Sequence, residues 1–93
     1  MKDSIVIVGS ARTPIGGYSG GLAGVPTHRL GSVAAQEAIT RSGLEPEDVE
    51  TVIMGCIGQV GAQAYNARMV AVDAGIPKSS NAYNVNRLCG SGL

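Results

Sequence analysis

Three short apolar runs, separated by stretches with helical spacing and each closing at or beside a glycine, constrain this 93-residue chain more than any other feature. Ile5-Val6-Ile7-Val8 runs into Gly9, Thr51-Val52-Ile53-Met54 into Gly55, and Ala82 to Leu88 into Cys89-Gly90. A continuous β-branched run such as the first is expected of a strand buried on both faces of a parallel sheet. Between the first two runs, Leu30 to Arg41 reads as a helix. Leu30, Ala34 and Ala38 fall on one side, flanked by Gly31 and Ala35, while Arg29, Ser32, Gln36 and Thr40 fall on the other. Val33 fits the apolar side poorly. Thr27 is the expected cap, and Gly43 supplies a left-handed stop. Pro46-Glu47-Asp48 marks a turn. Ala67, Val70, Ala71 and Ala74 then match the i, i+3, i+4, i+7 template, with Gly75 and Pro77 ending the second helix.

The order strand, helix, strand, helix, strand implies a βαβαβ unit of the α/β class, with a mainly parallel sheet. It occupies residues 1–93 as one small domain. No helix follows the third run, so one face of such a sheet is expected to lack a cover. A chain of this length buries only about two-thirds of the surface its unfolded form exposes. Its charged fraction of 15% is low beside the roughly one in four of an average domain, which fits a surface meant largely for burial.

Seven basic side chains balance seven acidic ones. This excludes the basic field that draws nucleic acid or an anionic membrane surface. The apolar runs are far shorter than a membrane span, and Met1-Lys2-Asp3 with Ile5–Val8 is too short for a secretory signal. Two cysteines make no disulfide framework. A reduced, cytoplasmic setting is the expectation.

The residues from Ala11 to Pro26 include five glycines and two prolines, a longer connection than the two to six residues usual between strand and helix. Gly16-Gly17-Tyr18-Ser19-Gly20-Gly21-Leu22-Ala23-Gly24 lies where nucleotide-binding folds cradle phosphates. It carries neither GxGxxG spacing nor a following Gly-Lys-Ser/Thr, so a structural loop is the stronger reading.

Asn86-Arg87-Leu88-Cys89-Gly90-Ser91-Gly92 is more informative. A cysteine after a buried strand sits at the strand's carboxyl edge, where open α/β sheets place their ligands. A helix begun there would favour thiolate over thiol, and Gly90 and Gly92 permit a sharp turn and close approach of an acyl group. The competing reading makes Cys89 one more small buried hydrophobe. Cys56, in Met54-Gly55-Cys56-Ile57, has apolar neighbours and reads as buried. The cysteines and His28 do not stand at metal-ligand spacing, and no metal site is expected. His28 reads as an exposed or capping residue at the start of the first helix.

Two stretches resemble the thiolase family. Ala11-Arg12-Thr13-Pro14-Ile15-Gly16 with Gly20-Gly21-Leu22 is similar to its amino-terminal signature, and Asn84-Val85-Asn86-Arg87-Leu88-Cys89-Gly90-Ser91-Gly92 to its nucleophile motif. Val52-Ile53-Met54-Gly55 and Asn66-Ala67-Arg68 also fall where the family has like residues. The resemblance covers essentially the whole chain. It implies a thiolase-like fold, of which these residues form the opening βαβαβ of the amino-terminal half-domain, with the remainder of an enzyme beyond Leu93. It implies an acyl-CoA C-acyltransferase in which Cys89 accepts an acyl group as a thioester and its backbone N–H helps bind an oxyanion. Acyl-CoA and CoA are then substrates, with no cofactor. The activating His, the second Cys and further oxyanion donors would lie beyond Leu93, leaving the 93 residues inactive alone. Thiolases are dimers or tetramers, so a homodimer or homotetramer is implied, with Ala82–Leu88 and part of Gln59–Asn66 between subunits.

Two other readings belong to different classes. A ketoacyl synthase-like condensing enzyme shares the fold, but its acidic-Thr-Ala-Cys-Ser-Ser context is not matched by Arg87-Leu88-Cys89-Gly90-Ser91. Papain-like proteases carry Cys-Gly-Ser-Cys-aromatic, which Gly92 and Leu93 break. A non-catalytic interaction module is the remaining alternative.

Overall fold

A computed structural model describes residues 3–93. Its elements are helix α1 (Thr27–Ser42), strand β1 (Thr51–Gly55), helix α2 (Asn66–Asp73) and strand β2 (Asn81–Val85). Short 3-10 turns occupy Pro46–Asp48 and Gly61–Tyr65. The class is α/β, and the two strands pair in parallel, Thr51 opposite Asn81 through Gly55 opposite Val85. Asn81 N–H donates to Glu50 C=O at 2.8 Å and Cys56 N–H to Val85 C=O at 2.9 Å, which carries the ladder one step past each end of β1.

Both helices stop where glycine chemistry stops them. Gly43 stands at φ 77°, its N–H returning to Thr40 C=O. Gly75, at φ 83°, closes α2 with Gly75 N–H on Val72 C=O and Ile76 N–H on Ala71 C=O. That pair of bonds is the Schellman arrangement, completed by the burial of Ile76. Before β1, Glu45 and Asp48 cap each other across the Pro46–Asp48 turn. The amino end of α1 differs from expectation: Thr27 is its first helical residue and Pro26 its cap, with no side-chain cap bond. Proline has no N–H to leave unpartnered there, and the Thr27 hydroxyl instead receives Gln63 Nε2 at 3.1 Å.

The helices lie close because the residues between them are small. Val70 and Ala71 are fully buried, and Ala71, Ala74 and Ile76 form a core ringed by Ala35, Ile39, Val49, Val52 and Ala82. A Cβ on Gly31 would stand 2.8 Å from Val70 Cγ2 and 3.3 Å from Met54 Cε, so α1 reaches both α2 and β1 only through a glycine. Val33, which fits the apolar side poorly, is exposed. Ser32 is a correction. Expected on the polar side, it is fully buried against α2, where its hydroxyl is hydrogen-bonded to the Asp73 carboxylate. Arg29 Nη1 joins the same carboxylate at 3.2 Å. Ser32 and Arg29 draw Asp73 below its ordinary carboxylate value, the Ser32 hydroxyl most.

Two expectations about strands are corrected. Ile5–Val8 is not a strand here: its four side chains are exposed, and its backbone pairs with neither β1 nor β2. Apolar β-branched composition favours extended backbone, but a strand exists only with a partner edge. The chain at Gly9 and Ser10 lies against the end of α1 instead, where Arg41 Nη1 donates to Ser10 C=O at 3.1 Å. The last run forms a strand only to Val85, because Leu88 turns left-handed. Among the described residues the sheet therefore has two strands rather than three, and its second face is open, with Ile53 and Tyr83 about half exposed.

Candidate active site

The site forms where β1 and β2 end side by side. Beyond Val85 the chain enters a tight turn, Arg87-Leu88-Cys89-Gly90, closed by Gly90 N–H on Arg87 C=O at 3.1 Å. Leu88 holds φ 51° at its second position, a positive φ for which glycine is the usual occupant. For a leucine that conformation costs about 1–3 kcal/mol and persists only where its surroundings fix it. Gly90 and Gly92, expected to supply the sharp bend, do not have positive φ. The strain sits one residue before the cysteine.

What fixes it is visible in the hydrogen bonds. Leu88 N–H donates to Asn86 Oδ1 at 3.0 Å. Ser91, 8% exposed, receives Arg87 N–H on its hydroxyl at 2.8 Å and donates that hydroxyl to Leu88 C=O at 2.6 Å. A second turn follows as Ser91 N–H reaches Leu88 C=O at 3.0 Å. The turn rests on the end of β1: a Cβ on Gly55 would collide with the Ser91 carbonyl oxygen and stand 2.7 Å from its carbon.

Cys89 is exposed on this turn, as a free thiol. Cys56 follows the opposite course, as expected: it is buried, with its sulfur 3.6 Å from Gln63 C=O and 3.8 Å from Gly58 C=O. A buried thiol with two carbonyl acceptors is a packing residue. The two cysteines leave neighbouring strand ends with opposite exposure, Cys56 buried and Cys89 exposed.

The wall beside the site is built by Asn84, a residue whose part the sequence reading did not foresee. From β2 its Oδ1 accepts Ala67 N–H at 2.9 Å, while its Nδ2 donates to Gln63 and Ala64 C=O, each at 3.2 Å. One amide thus caps α2 and pins the loop after β1 against the cysteine-bearing strand. An Asn on the covered face of a strand, following a helix that lacks its own cap residue, was the available signal. His28 is half-buried in the first turn of α1, where it borders a hollow of about 400 Å³ that includes neither cysteine. The glycine-rich loop is spent on itself: Gly20, Ala23 and Val25 N–H groups close its own turns on Gly17, Gly20 and Leu22 C=O. A loop whose amides are so engaged has fewer to offer a phosphate. No described helix is long and apolar enough to cross a membrane.

Comparison with known proteins bears on this arrangement. The family model described as "Thiolase, N-terminal domain" matches residues 5–93. An acetyl-CoA acetyltransferase of Syntrophomonas wolfei is 42% identical over 93 residues, covering 100% of this chain and 24% of the relative. The cytosolic acetyl-CoA acetyltransferase of Rattus norvegicus is 41% identical over 92 residues, covering 99% and 23%. The crystal structure of Acat5 thiolase from Ascaris suum in complex with coenzyme A superposes with a TM-score of 0.88 at 34% identity, over 91% of this chain and 22% of that one. The chain thus spans under a quarter of the length of these relatives. Matched from Ile5 to its last residue by the family's own model, and sharing its fold with a solved member, this chain belongs to the thiolase family, in that family's N-terminal domain.

Proposed function

We propose that this chain supplies the acyl-accepting cysteine of an acyl-CoA C-acyltransferase. One observation carries the reading most: Cys89 is exposed on a strained, doubly braced turn at the carboxyl end of a parallel strand, while Cys56 beside it is buried. The similarity to acetyl-CoA acetyltransferases and to a thiolase solved with coenzyme A supports acyl-CoA and CoA as the substrates.

The chemistry follows from sulfur. The Cys89 thiolate attacks the keto carbon of a 3-ketoacyl-CoA, and the Cys89 backbone N–H is one donor to the oxyanion that forms. The bond between the keto carbon and the next carbon breaks, its electron pair leaving with an acetyl-CoA enolate that takes a proton. The acyl group stays on Cys89 as a thioester until the CoA thiolate attacks it and displaces the cysteine. Run in reverse, the sequence is Claisen condensation of two acetyl-CoA molecules. The base that ionises Cys89 and the acid that protonates the enolate are assigned to chain outside these residues, so the 93-residue segment alone is inactive. The enzyme works as a homo-oligomer in the cytoplasm. The half-exposed Ile53 and Tyr83 support burial of the open sheet face in the larger assembly.

Substitution tests the reading in the full-length enzyme. Cys89→Ala abolishes thiolysis of acetoacetyl-CoA, and Cys89→Ser loses orders of magnitude because a hydroxyl has no comparable ionised fraction. Retained activity in Cys89→Ala refutes the assignment.

A further inference from the structure

The Cys89 turn contains a side chain that the acyl-transfer chemistry does not use, yet its hydrogen bonds enclose the nucleophile. Ser91 is nine-tenths buried, and its hydroxyl spends both capacities inside the turn, accepting from Arg87 N–H and donating to Leu88 C=O. A hydroxyl has one hydrogen to donate. With that hydrogen on Leu88 C=O at 2.6 Å, Ser91 has none for the Cys89 sulfur or for a substrate oxygen. It is neither a second nucleophile nor a donor to the thiolate. What it does is tie the residue before Leu88 to Leu88 itself, across the one left-handed position in the motif. Asn86 ties the same residue from the other side, its carboxamide oxygen on Leu88 N–H.

Building on the acyl-transfer role of Cys89, we propose that Ser91 and Asn86 are positioning residues that lock Leu88 in its left-handed conformation and so fix where the Cys89 sulfur stands. Both peptide groups of Leu88 are then held, N–H by Asn86 and C=O by Ser91. Without them a leucine returns toward negative φ, and the direction of the next side chain rotates with it. Misplacement of a reacting atom by about 1 Å costs on the order of 100-fold in rate. The effect is on geometry, not on ionisation of the thiol.

The experiment uses the full-length enzyme with Ser91→Ala and Asn86→Ala, the latter removing an exposed side chain without loss of core. Two reactions of Cys89 are followed. In single-turnover acetylation by saturating acetyl-CoA, the thiolate bonds to the acetyl carbon, the carbon–sulfur bond to CoA breaks, and the CoA thiolate leaves with the electron pair. Alkylation by iodoacetamide across pH reports ionisation and exposure without an oriented acyl group. The expected result is a fall in acetylation of about 30-fold or more for Ser91→Ala and about tenfold for Asn86→Ala. Alkylation stays within about threefold, with an unmoved pH midpoint. Unchanged acetylation in Asn86→Ala and in folded Ser91→Ala overturns the proposal. So does an equal fall in both reactions with a shifted midpoint, which makes the bonds a device for ionisation. If Cys89 of the parent enzyme takes no acetyl group at all, the acyl-transfer reading falls, and this proposal with it.

Discussion

A methyl group added at Gly55 tests how the sheet and the Cys89 turn are joined. The new Cβ would collide with the Ser91 carbonyl oxygen, stand 2.7 Å from the Ser91 carbonyl carbon and 3.1 Å from Gly92 N. All three are backbone atoms, so no side chain can swing aside. Carbon contacts are comfortable from about 3.5 Å, and the turn has to lift from the strand end by roughly 0.8 Å. Overpacking of this kind costs about 1–3 kcal/mol, and the methyl returns about 0.4–1 kcal/mol by restricting the unfolded chain. The net expectation for Gly55→Ala is a loss of about 1–2 kcal/mol, with Cys89 displaced along with Ser91. Equilibrium urea unfolding followed by circular dichroism reads the loss. At a slope of about 1–2 kcal/mol per molar, the midpoint falls by roughly 1 M. Gly21→Ala is the control, because nothing lies within 4 Å of its Cβ. Its midpoint stays within about 0.5 kcal/mol of the parent. Equal midpoints for the two variants refute the contact between β1 and the turn.

Asn84→Ala strips the partner from Ala67 N–H at the buried start of α2 and frees two carbonyls of the loop after β1, at a cost of about 1–3 kcal/mol by urea unfolding. Hydrogen exchange at Ala67 rises with it. Asp73 is held below its ordinary value first by the Ser32 hydroxyl and then by Arg29. Its contribution is therefore complete above the usual carboxylate value near pH 4 and is lost as pH falls through the lowered folded value. Asp73→Asn removes that part of the acid limb in a pH series of urea midpoints; an unchanged limb counts against the Ser32–Asp73 bond. Cys56→Ala costs on the order of 1 kcal/mol of packing and leaves turnover of the full-length enzyme nearly intact. Limiting iodoacetamide labels the exposed Cys89 well before the buried Cys56.

The elements with a local code were legible in the sequence. Thr51–Gly55, the two helices and the glycines that end them at Gly43 and Gly75 follow from periodicity and from left-handed stops. The Cys89 motif stood out for the same reason, as a strand end followed by small residues. What periodicity could not show depends on partners far along the chain. Ile5–Val8 has strand composition without a strand to pair with. Ser32 looks polar on a helical wheel, and its burial depends on a partner no wheel shows, the carboxylate of Asp73, 41 residues on, beside local bonds to Arg29. Leu88 gives no sequence sign of a left-handed residue. The glycine that allows the bend is Gly55, which lies on the neighbouring strand rather than in the motif. Asn84 was read as part of a motif, yet its visible work is to cap α2 and hold the loop after β1.

Mapping the acetyl group after a single exposure of the full-length enzyme to acetyl-CoA tests the central claim most directly. The enzyme is quenched in acid, digested and sequenced by mass spectrometry. The account predicts one acetyl thioester, on the peptide containing Arg87-Leu88-Cys89, removed by free CoA and absent in Cys89→Ala. An acetyl group on Cys56, or an unmodified Cys89 in an enzyme that still turns over, contradicts it.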